Sequence, residues 1–461
     1  MDKGADFSFS KKFLSGESHY AFWDLVSKGI GLLNTFLIIT SLTIYQYGVF
    51  QLLLAFYAVL SGISGLGSGA IGNDIMRLVG EGKEGSAKRL FLEYASIRMA
   101  AAVLISLAIF VGGDLLAVKY KPDFIAVVRL LPIILLLEVV FTTVKSLLVI
   151  RLRFGLVASR STVYKLAQAV VLSYFFFFSN LSVREVIISM IAGSVFSTLV
   201  LLRPIIKSCE PWRGRKYVRE KTVLGIFKSY GKWEVFQQFI SKLSSYIQPW
   251  AIKFFISTEA VAIYSVAQMM LSVVSGFSPT KTISALVPLK MSDSSMVQKI
   301  YTYALKYVGI FLVGLGLAAG LAAGPFVGLA FPKYVVSLPF FYFLLLSIPI
   351  SVFNNVTAGF LIVFRRQKFL FLQKVIKLVI GIPLYFLLLP LFGLWGMPVQ
   401  GITVSVVLAV STYLYVKKYG VGVKIYWEEI FSFKEEDKVF LRNVISHILS
   451  SVKNKFSFLK N

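Results

Sequence analysis

The chain is poor in the residues that soluble enzymes and metalloproteins depend on. Its 461 residues include one cysteine, Cys209, and two histidines, His19 and His447. That excludes a disulfide framework and a Cys/His metal site, and no bound cofactor is expected. Only 15% of the residues are charged, with 22 acidic residues against 48 Lys and Arg. No Asp-x-Asp cluster of the kind a glycan-transferring enzyme would use is present. The stretch GEGKEGS, Gly80 to Ser86, lacks the order of a phosphate-binding loop and reads as a turn. The residues before Tyr20 contain no apolar run ahead of a cleavage site, so they do not read as a signal peptide.

What the chain has in abundance is apolar length. Hydrophobic residues make up 57%, and the mean hydropathy is +0.77. Apolar runs of about 20 residues recur from end to end, each enough to cross a bilayer as a helix. An all-α polytopic membrane protein is expected, with about twelve transmembrane helices in two pseudo-symmetric six-helix bundles around a central cleft. The first six spans read as Tyr20–Ile44, Val49–Ile71, Tyr94–Val118, Phe124–Val149, Val157–Phe178 and Val183–Leu202. The second six read as Trp233–Ile256, Glu259–Leu286, Tyr301–Phe331, Leu338–Phe364, Phe371–Leu391 and Trp395–Val416. The domain organisation follows: an N-terminal segment (1–19), a first bundle (20–202), a polar linker (203–232), a second bundle (233–416) and a basic tail (417–461).

A formal net charge of +26 on a soluble protein would suggest nucleic acid. On a membrane chain it has a simpler source, because basic residues collect in the cytoplasmic loops. With both termini cytoplasmic, about 40 of the 48 Lys and Arg fall on that side. Localisation to the cytoplasmic (inner) membrane of a prokaryote is expected, with the anionic inner leaflet as a lipid partner and no nucleic acid. In the tail, Phe440, Leu441, Val444, Ile445, Ile448, Leu449 and Val452 recur at helical spacing beside Lys438, Arg442 and Lys453. This is the pattern of a helix lying on that leaflet, or of one capping the bundle.

Part of the sequence is said twice. Tyr47 to Ser64 and Val261 to Ser278 align without a gap, and both end in Ser-Gly-x-Ser. Gly62 falls on Gly276, an offset of 214 residues. The same offset carries Lys28 onto Lys242, Asp24 onto Gln238, Gly31 onto Ser245 and Asn34 onto Gln248. Spacings of three and four place each set on one helical face. An ionisable group at mid-depth costs about 2.5–3.5 kcal/mol on insertion scales, so such a face must meet protein or water. Two matching polar stripes point to a hydrated cleft with one wall from each half, a plan used by transporters built from repeats. Asp24, Lys28, Asn34, Gln238, Lys242, Ser245 and Gln248 are the substrate-binding candidates. For Lys28 two other readings stay open: snorkelling to the interface, or pairing with Asp24 four residues away.

The fourth span adds Glu138 and Lys145 within LLPIILLLEVVFTTVKSLLVI. A carboxyl group at that depth can carry a proton, or it can pair with Lys145 or with a neighbouring helix. Both residues are coupling candidates, with H+ or Na+ as the ion. Arg98, early in the third span, reads as interfacial. Asn354 and Asn355 line the cleft or bond one helix to another.

Four stretches together resemble a known family. YGVFQLLLAFYAVLSGISGLGSGAIGNDIMRLVGEGKEG is similar to the second span and following loop of the polysaccharide-transporter and O-antigen flippase branch of the multidrug/oligosaccharidyl-lipid/polysaccharide exporters. LLVIRLRFGLVAS resembles the end of its fourth span, STEAVAIYSVAQMM the start of its eighth, and LPLFGLWGMPVQGITVSV its eleventh-to-twelfth turn. The resemblance covers about residues 20–416. It implies a non-enzymatic flippase that turns a polyprenyl-diphosphate-linked oligosaccharide across the membrane by alternating access. Its partners would be that lipid-linked glycan and the polymerase and glycosyltransferases of the same pathway. A cation-coupled drug exporter of the same superfamily is the alternative, and it would favour acidic residues in the cleft. A membrane glycan polymerase or ligase would need larger outside loops than these.

Overall fold

The computed structural model describes residues 23–65, 67–117, 127–151, 153–216, 222–228, 232–276, 294–364, 366–419, 423–432 and 437. The N-terminal segment to Tyr20 and the amphipathic stretch from Lys438 onward lie outside the described residues. Within them every regular element is a helix. The spans are α1 (23–41), α2 (Ile44–Ser64), α4 (Glu84–Ala117), α5 (Leu131–Ile150), α6 (Phe154–Phe178), α7 (Val183–Cys209), α8 (Lys232–Phe255), α9 (Thr258–Ser275) and α10 (Ser294–Ala330). They continue with α11 (Leu338–Leu345), α12 (Ile348–Val363), α13 (Gln367–Phe392) and α14 (Gly396–Tyr419). Three shorter helices complete the α set: α3 (Ser68–Gly80), which extends the second span, the single turn Val223–Ile226 before α8, and α15 (Trp427–Phe431), which follows the last.

Among the described residues eight helical stretches are long and apolar enough to cross a membrane, and a ninth is made by α11 and α12, which bend by 54° at their junction. One of the eight, Gln367–Tyr419, is 53 residues long and holds two helices. The chain reverses at the turn Gly393–Trp395, where Gly393 takes the left-handed φ of +54°. Gln400 then donates to the Gly381 carbonyl at 3.3 Å, a contact that a straight helix could not make across 19 residues. Adding α1 and α8, whose polar stripes depress their hydropathy, accounts for all twelve expected spans. Several helices run past the apolar window. α4 has 34 residues, about 50 Å of helix against a hydrocarbon core of about 30 Å.

Local signals explain where helices start and stop. Thr43 and Gln46 form a capping box at the start of α2, and Ser182 and Glu185 form another at the start of α7. Prolines sit inside α7, α8, α10 and α13, which membrane helices tolerate because neighbours satisfy the freed carbonyls.

Packing divides the chain into two compact units. One comprises Met1–Met270, Ala322–Tyr342 and Lys374–Gln400; the other comprises Leu271–Leu321, Phe343–Gln373 and Gly401–Asn461. In the first, Ile71, Ile75, Leu78, Leu90, Tyr94 and Trp212 form a core at the ends of α3 and α4. The described parts of the polar linker around Trp212 and Val223 are anchored there. Trp212, Val223 and Ile226 are buried, and the Trp212 ring lies 5.2 Å from that of Phe91. Glu84 ties this end together. It accepts a bidentate pair from Arg151 at 2.7 and 3.0 Å and a bond from Trp212 Nε1 at 2.6 Å. At the opposite end of α1, Lys333 Nζ donates to the Thr40 carbonyl at 2.9 Å and to that of Leu42, satisfying carbonyls that a helix end leaves open. In the second unit Tyr301, Leu305, Val308, Val352, Val356 and Phe360 form a continuous core between α10 and α12. There Asn354 donates to the Ser405 carbonyl at 3.1 Å, a helix-to-helix bond.

Candidate functional site

The first unit contains a polar cavity of about 640 Å³ whose walls come from α2, α3, α4, α5 and α8. One wall is made of small residues because the second span breaks. α2 stops at Ser64, Gly67 takes φ +76°, and α3 resumes at Ser68. The expected span Val49–Ile71 is therefore two helices, and Gly62, Gly65, Gly69 and Gly72 line the cavity around the break. Only a residue without Cβ adopts that φ readily, and a Cβ at Gly67 would also enter the Phe227 ring at 2.6 Å. The Gly67 N–H donates to Gln238 Oε1 at 3.2 Å, so α8 holds the break open by a side-chain bond.

The facing wall carries charge. Lys242 on α8, Lys145 on α5 and Arg98 on α4 line the cavity, with Glu138 of α5 as the one carboxylate among the described lining residues. The aliphatic stem of Lys242 lies against Gly62, with its Cγ 3.0 Å from where a Cβ would be. Arg98, which its place in the sequence put at the membrane interface, is buried between helices. α4 begins ten residues before the expected start of its span, which sets Arg98 deep in the helix. It is 5% exposed. Its Nε donates to the Ser64 carbonyl at 3.1 Å and its Nη2 donates to Thr142 Oγ1, so it fixes the end of α2 to α5. Its guanidinium also stands 5.5 Å from the Tyr94 ring centre. Lys374 of α13 donates to Ser241 Oγ on the cavity wall at 3.3 Å.

No described cation comes within ion-pair distance of Glu138. Its carboxylate lies in the field of four: Arg160 acts most strongly, then Lys145, Arg98 and Lys242. Arg160 on α6 is buried, and its Nε and Nη2 have no hydrogen-bond partner among the described residues. Sequence reasoning passed over it, although Arg160 and Tyr164 stand four apart on one face of α6.

The sequence candidates therefore separate. Gln238, Lys242, Glu138 and Lys145 meet at this cavity. Asp24, Lys28 and Asn34 are on α1. Asp24 and Lys28 pair with each other at 3.0 Å on an exposed surface. Asn34 is buried and donates to the Lys165 carbonyl at 3.0 Å and to Gln168 Oε1 at 3.2 Å. Ser27 and Ser161 bond at 2.9 Å, and Lys165 Nζ donates to the Ser27 carbonyl at 3.0 Å. The α1 stripe is thus joined to α6. Gln248, farther along α8, accepts from Gln268 Nε2 at 3.1 Å. The side chain of Ser245 lies outside the described residues.

A family model described as "Polysaccharide biosynthesis protein" matches residues 16–295. No curated protein sequence matches the chain. Among solved structures, the lipid II flippase MurJ in an inward closed conformation aligns with a TM-score of 0.72 at 12% identity, over 93% of this chain and 96% of that one. The MATE transporter VcmN of Vibrio cholerae in its bent form aligns at 0.61 and 15% identity, over 90% and 98%. A MOP superfamily transporter from Pyrococcus furiosus, whose structure is described as having a binding pocket of reverse polarity, aligns at 0.58 and 12%, over 87% and 95%. At these identities the likeness is one of fold.

Proposed function

We propose that this chain, which belongs to the polysaccharide biosynthesis protein family, is a flippase that turns a polyprenyl-diphosphate-linked oligosaccharide across the cytoplasmic membrane by alternating access. One observation carries the reading. Among the described residues the cavity sets three cations, Arg98, Lys145 and Lys242, against a single carboxylate, Glu138. An excess of positive charge in a partly dehydrated pocket attracts an anionic head such as a diphosphate and repels a cationic drug. Arg98 is held by Ser64 and Thr142 and shapes the wall. Lys145 and Lys242 are exposed to the cavity and are the groups that reach the diphosphate. Ser61, Ser68, Asn73, Gln238 and Ser241 line the same space and offer the amide and hydroxyl partners that sugars require. The lipid tail stays in the bilayer. Glu138, among four cations, is the group that would carry a coupling proton. The chain performs no covalent chemistry in this reading. It works in the inner membrane of a prokaryote with both termini cytoplasmic, beside the glycosyltransferases and polymerase of its pathway.

The experiment is complementation in cells lacking their own glycan flippase. Lys242→Gln is compared with Lys253→Gln, with both proteins confirmed in the membrane at equal levels. Loss of surface glycan in the first variant alone supports the cationic site. Equal export by both removes Lys242 from the site. Failure of the parent chain to restore any glycan, together with extrusion of a cationic dye, would favour the drug-exporter alternative.

A further inference from the structure

The second unit contains a cavity that the flippase reading does not use. It is a groove of about 680 Å³ between α10, α12 and α14, with α15 lying along it. Among the described lining residues Lys306 is the only charged one, and its ammonium is taken by Asp437 at 2.6 Å. The groove is open along one side, where Ile310 is 53%, Val410 51% and Phe431 81% exposed. At Lys306 it adjoins a second cavity of about 320 Å³ with the opposite character, lined by Gln298, Lys299, Thr302, Tyr303 and Glu429 among others. α15 divides the two. Trp427, Ile430 and Phe431 face the apolar groove, and Tyr426 and Glu429 face the polar pocket.

We infer that these joined cavities hold one zwitterionic phospholipid, with an acyl chain in the groove and the headgroup in the polar pocket. Charge complementarity selects the head. Lys306 and Asp437 cancel each other. Among the described lining residues that leaves Lys299 and Glu429, neither with an ion pair there. One cation and one carboxylate match a phosphate and an ammonium on the same lipid. An anionic lipid would leave Glu429 facing like charge. Trp427 and Tyr426 stand at the boundary between the two cavities, the depth that amphipathic aromatic rings favour in membranes. This site does not depend on the cargo proposed for the first unit.

The test is native mass spectrometry of the purified, delipidated full chain, titrated with phosphatidylethanolamine and phosphatidylglycerol. One phosphatidylethanolamine should bind in preference to phosphatidylglycerol. Gly309 lines the groove, and a Cβ there meets only Val352 at 3.9 Å. Gly309→Leu should therefore fold, while displacing about two methylenes of chain and weakening binding about tenfold. Gly314, with nothing near its Cβ, supplies the control Gly314→Leu, which should bind as the parent does. Glu429→Gln should abolish the preference between the two lipids. Unchanged binding in Gly309→Leu overturns the proposal, as does a preference for phosphatidylglycerol. Displacement of the phospholipid by a polyprenyl phosphate assigns the groove to the cargo tail instead. Tighter phospholipid binding after removal of residues 438–461 would make that segment the occupant. Either result defeats the inference.

Discussion

Two substitutions of opposite sign in the first unit's cavity should move anion affinity in opposite directions. Lys242→Gln removes a positive charge and Glu138→Gln a negative one, and both leave side chains of similar size. Two unit charges about 5 Å apart at an effective dielectric near 20 interact by about 3 kcal/mol. Lys242 is exposed to the cavity, so solvent screening reduces this to roughly 1–1.5 kcal/mol. A water-soluble short-chain polyprenyl diphosphate should therefore bind about tenfold more weakly to Lys242→Gln. Glu138 is half-buried and repels the same ligand, so Glu138→Gln should bind it more tightly by a similar factor. Calorimetry on the purified chain reads both. Raising the ionic strength from 0.1 to 1 M, which shortens the screening length from about 10 to about 3 Å, should shrink both effects. If Glu138 also carries the coupling proton, Glu138→Gln will bind more tightly and yet fail to transport in proteoliposomes. Weaker binding of the diphosphate by Glu138→Gln, or tighter binding by Lys242→Gln, would refute the electrostatic argument outright.

Gly48→Ala should destabilise the first unit by roughly 1–3 kcal/mol, because an added methyl would overlap the Thr258 carbonyl. Gly29→Ala, where nothing lies within 4 Å, should stabilise α1 by about 0.5–1 kcal/mol. Thermal unfolding in detergent distinguishes the pair. Arg151→Met leaves Glu84 without its bidentate partner in a site where the two side chains are only 14% and 19% exposed. The expected loss is roughly 2–3 kcal/mol, read by the same melt. In the second unit, Gln298 holds the backbone of Lys424 through both its N–H and its carbonyl, at 2.7 and 2.8 Å. Gln298→Ala should raise the open population of that segment about thirtyfold, for two bonds of about 1 kcal/mol each. The readout is the rate of tryptic cleavage after Lys424.

The helices were legible because an apolar run long enough to span a bilayer has few other uses. The stripe of α8 was legible for a related reason: Gln238, Ser241 and Lys242 fall three and four apart in a helix that must hide them from lipid. Three features were not. The break at Gly65–Gly67 was present as SGISGLGSG, but glycine in an apolar run signals close helix packing as readily as a helix end. The bonds of Arg98 to Ser64 and Thr142 were hidden because its span was started at Tyr94, and the polar first turns of α4 conceal that the helix begins at Glu84. Lys28 had two local fates and one distant one, and pairwise spacing cannot rank them. The exposed pair with Asp24 is the arrangement the structure adopts.

The repeat acquires a specific meaning from these contacts. Gly62 and Gly276 occupy the same place in the two copies, but among the described residues a Cβ would meet different neighbours at the two positions. A Cβ at Gly62 would meet Lys242 Cγ at 3.0 Å, whereas one at Gly276 would meet the carbonyl of Ser272 in its own helix. The lysine that packs on Gly62 is the residue that aligns with Lys28. The cavity is thus formed where the lysine of one copy crosses the glycine of the other. Within the first unit the two copies have taken different parts, one supplying a thin backbone wall and the other a charged side chain. Replacement of Gly62 by leucine should therefore weaken anion binding about as much as loss of the Lys242 charge, roughly tenfold, without altering any charge.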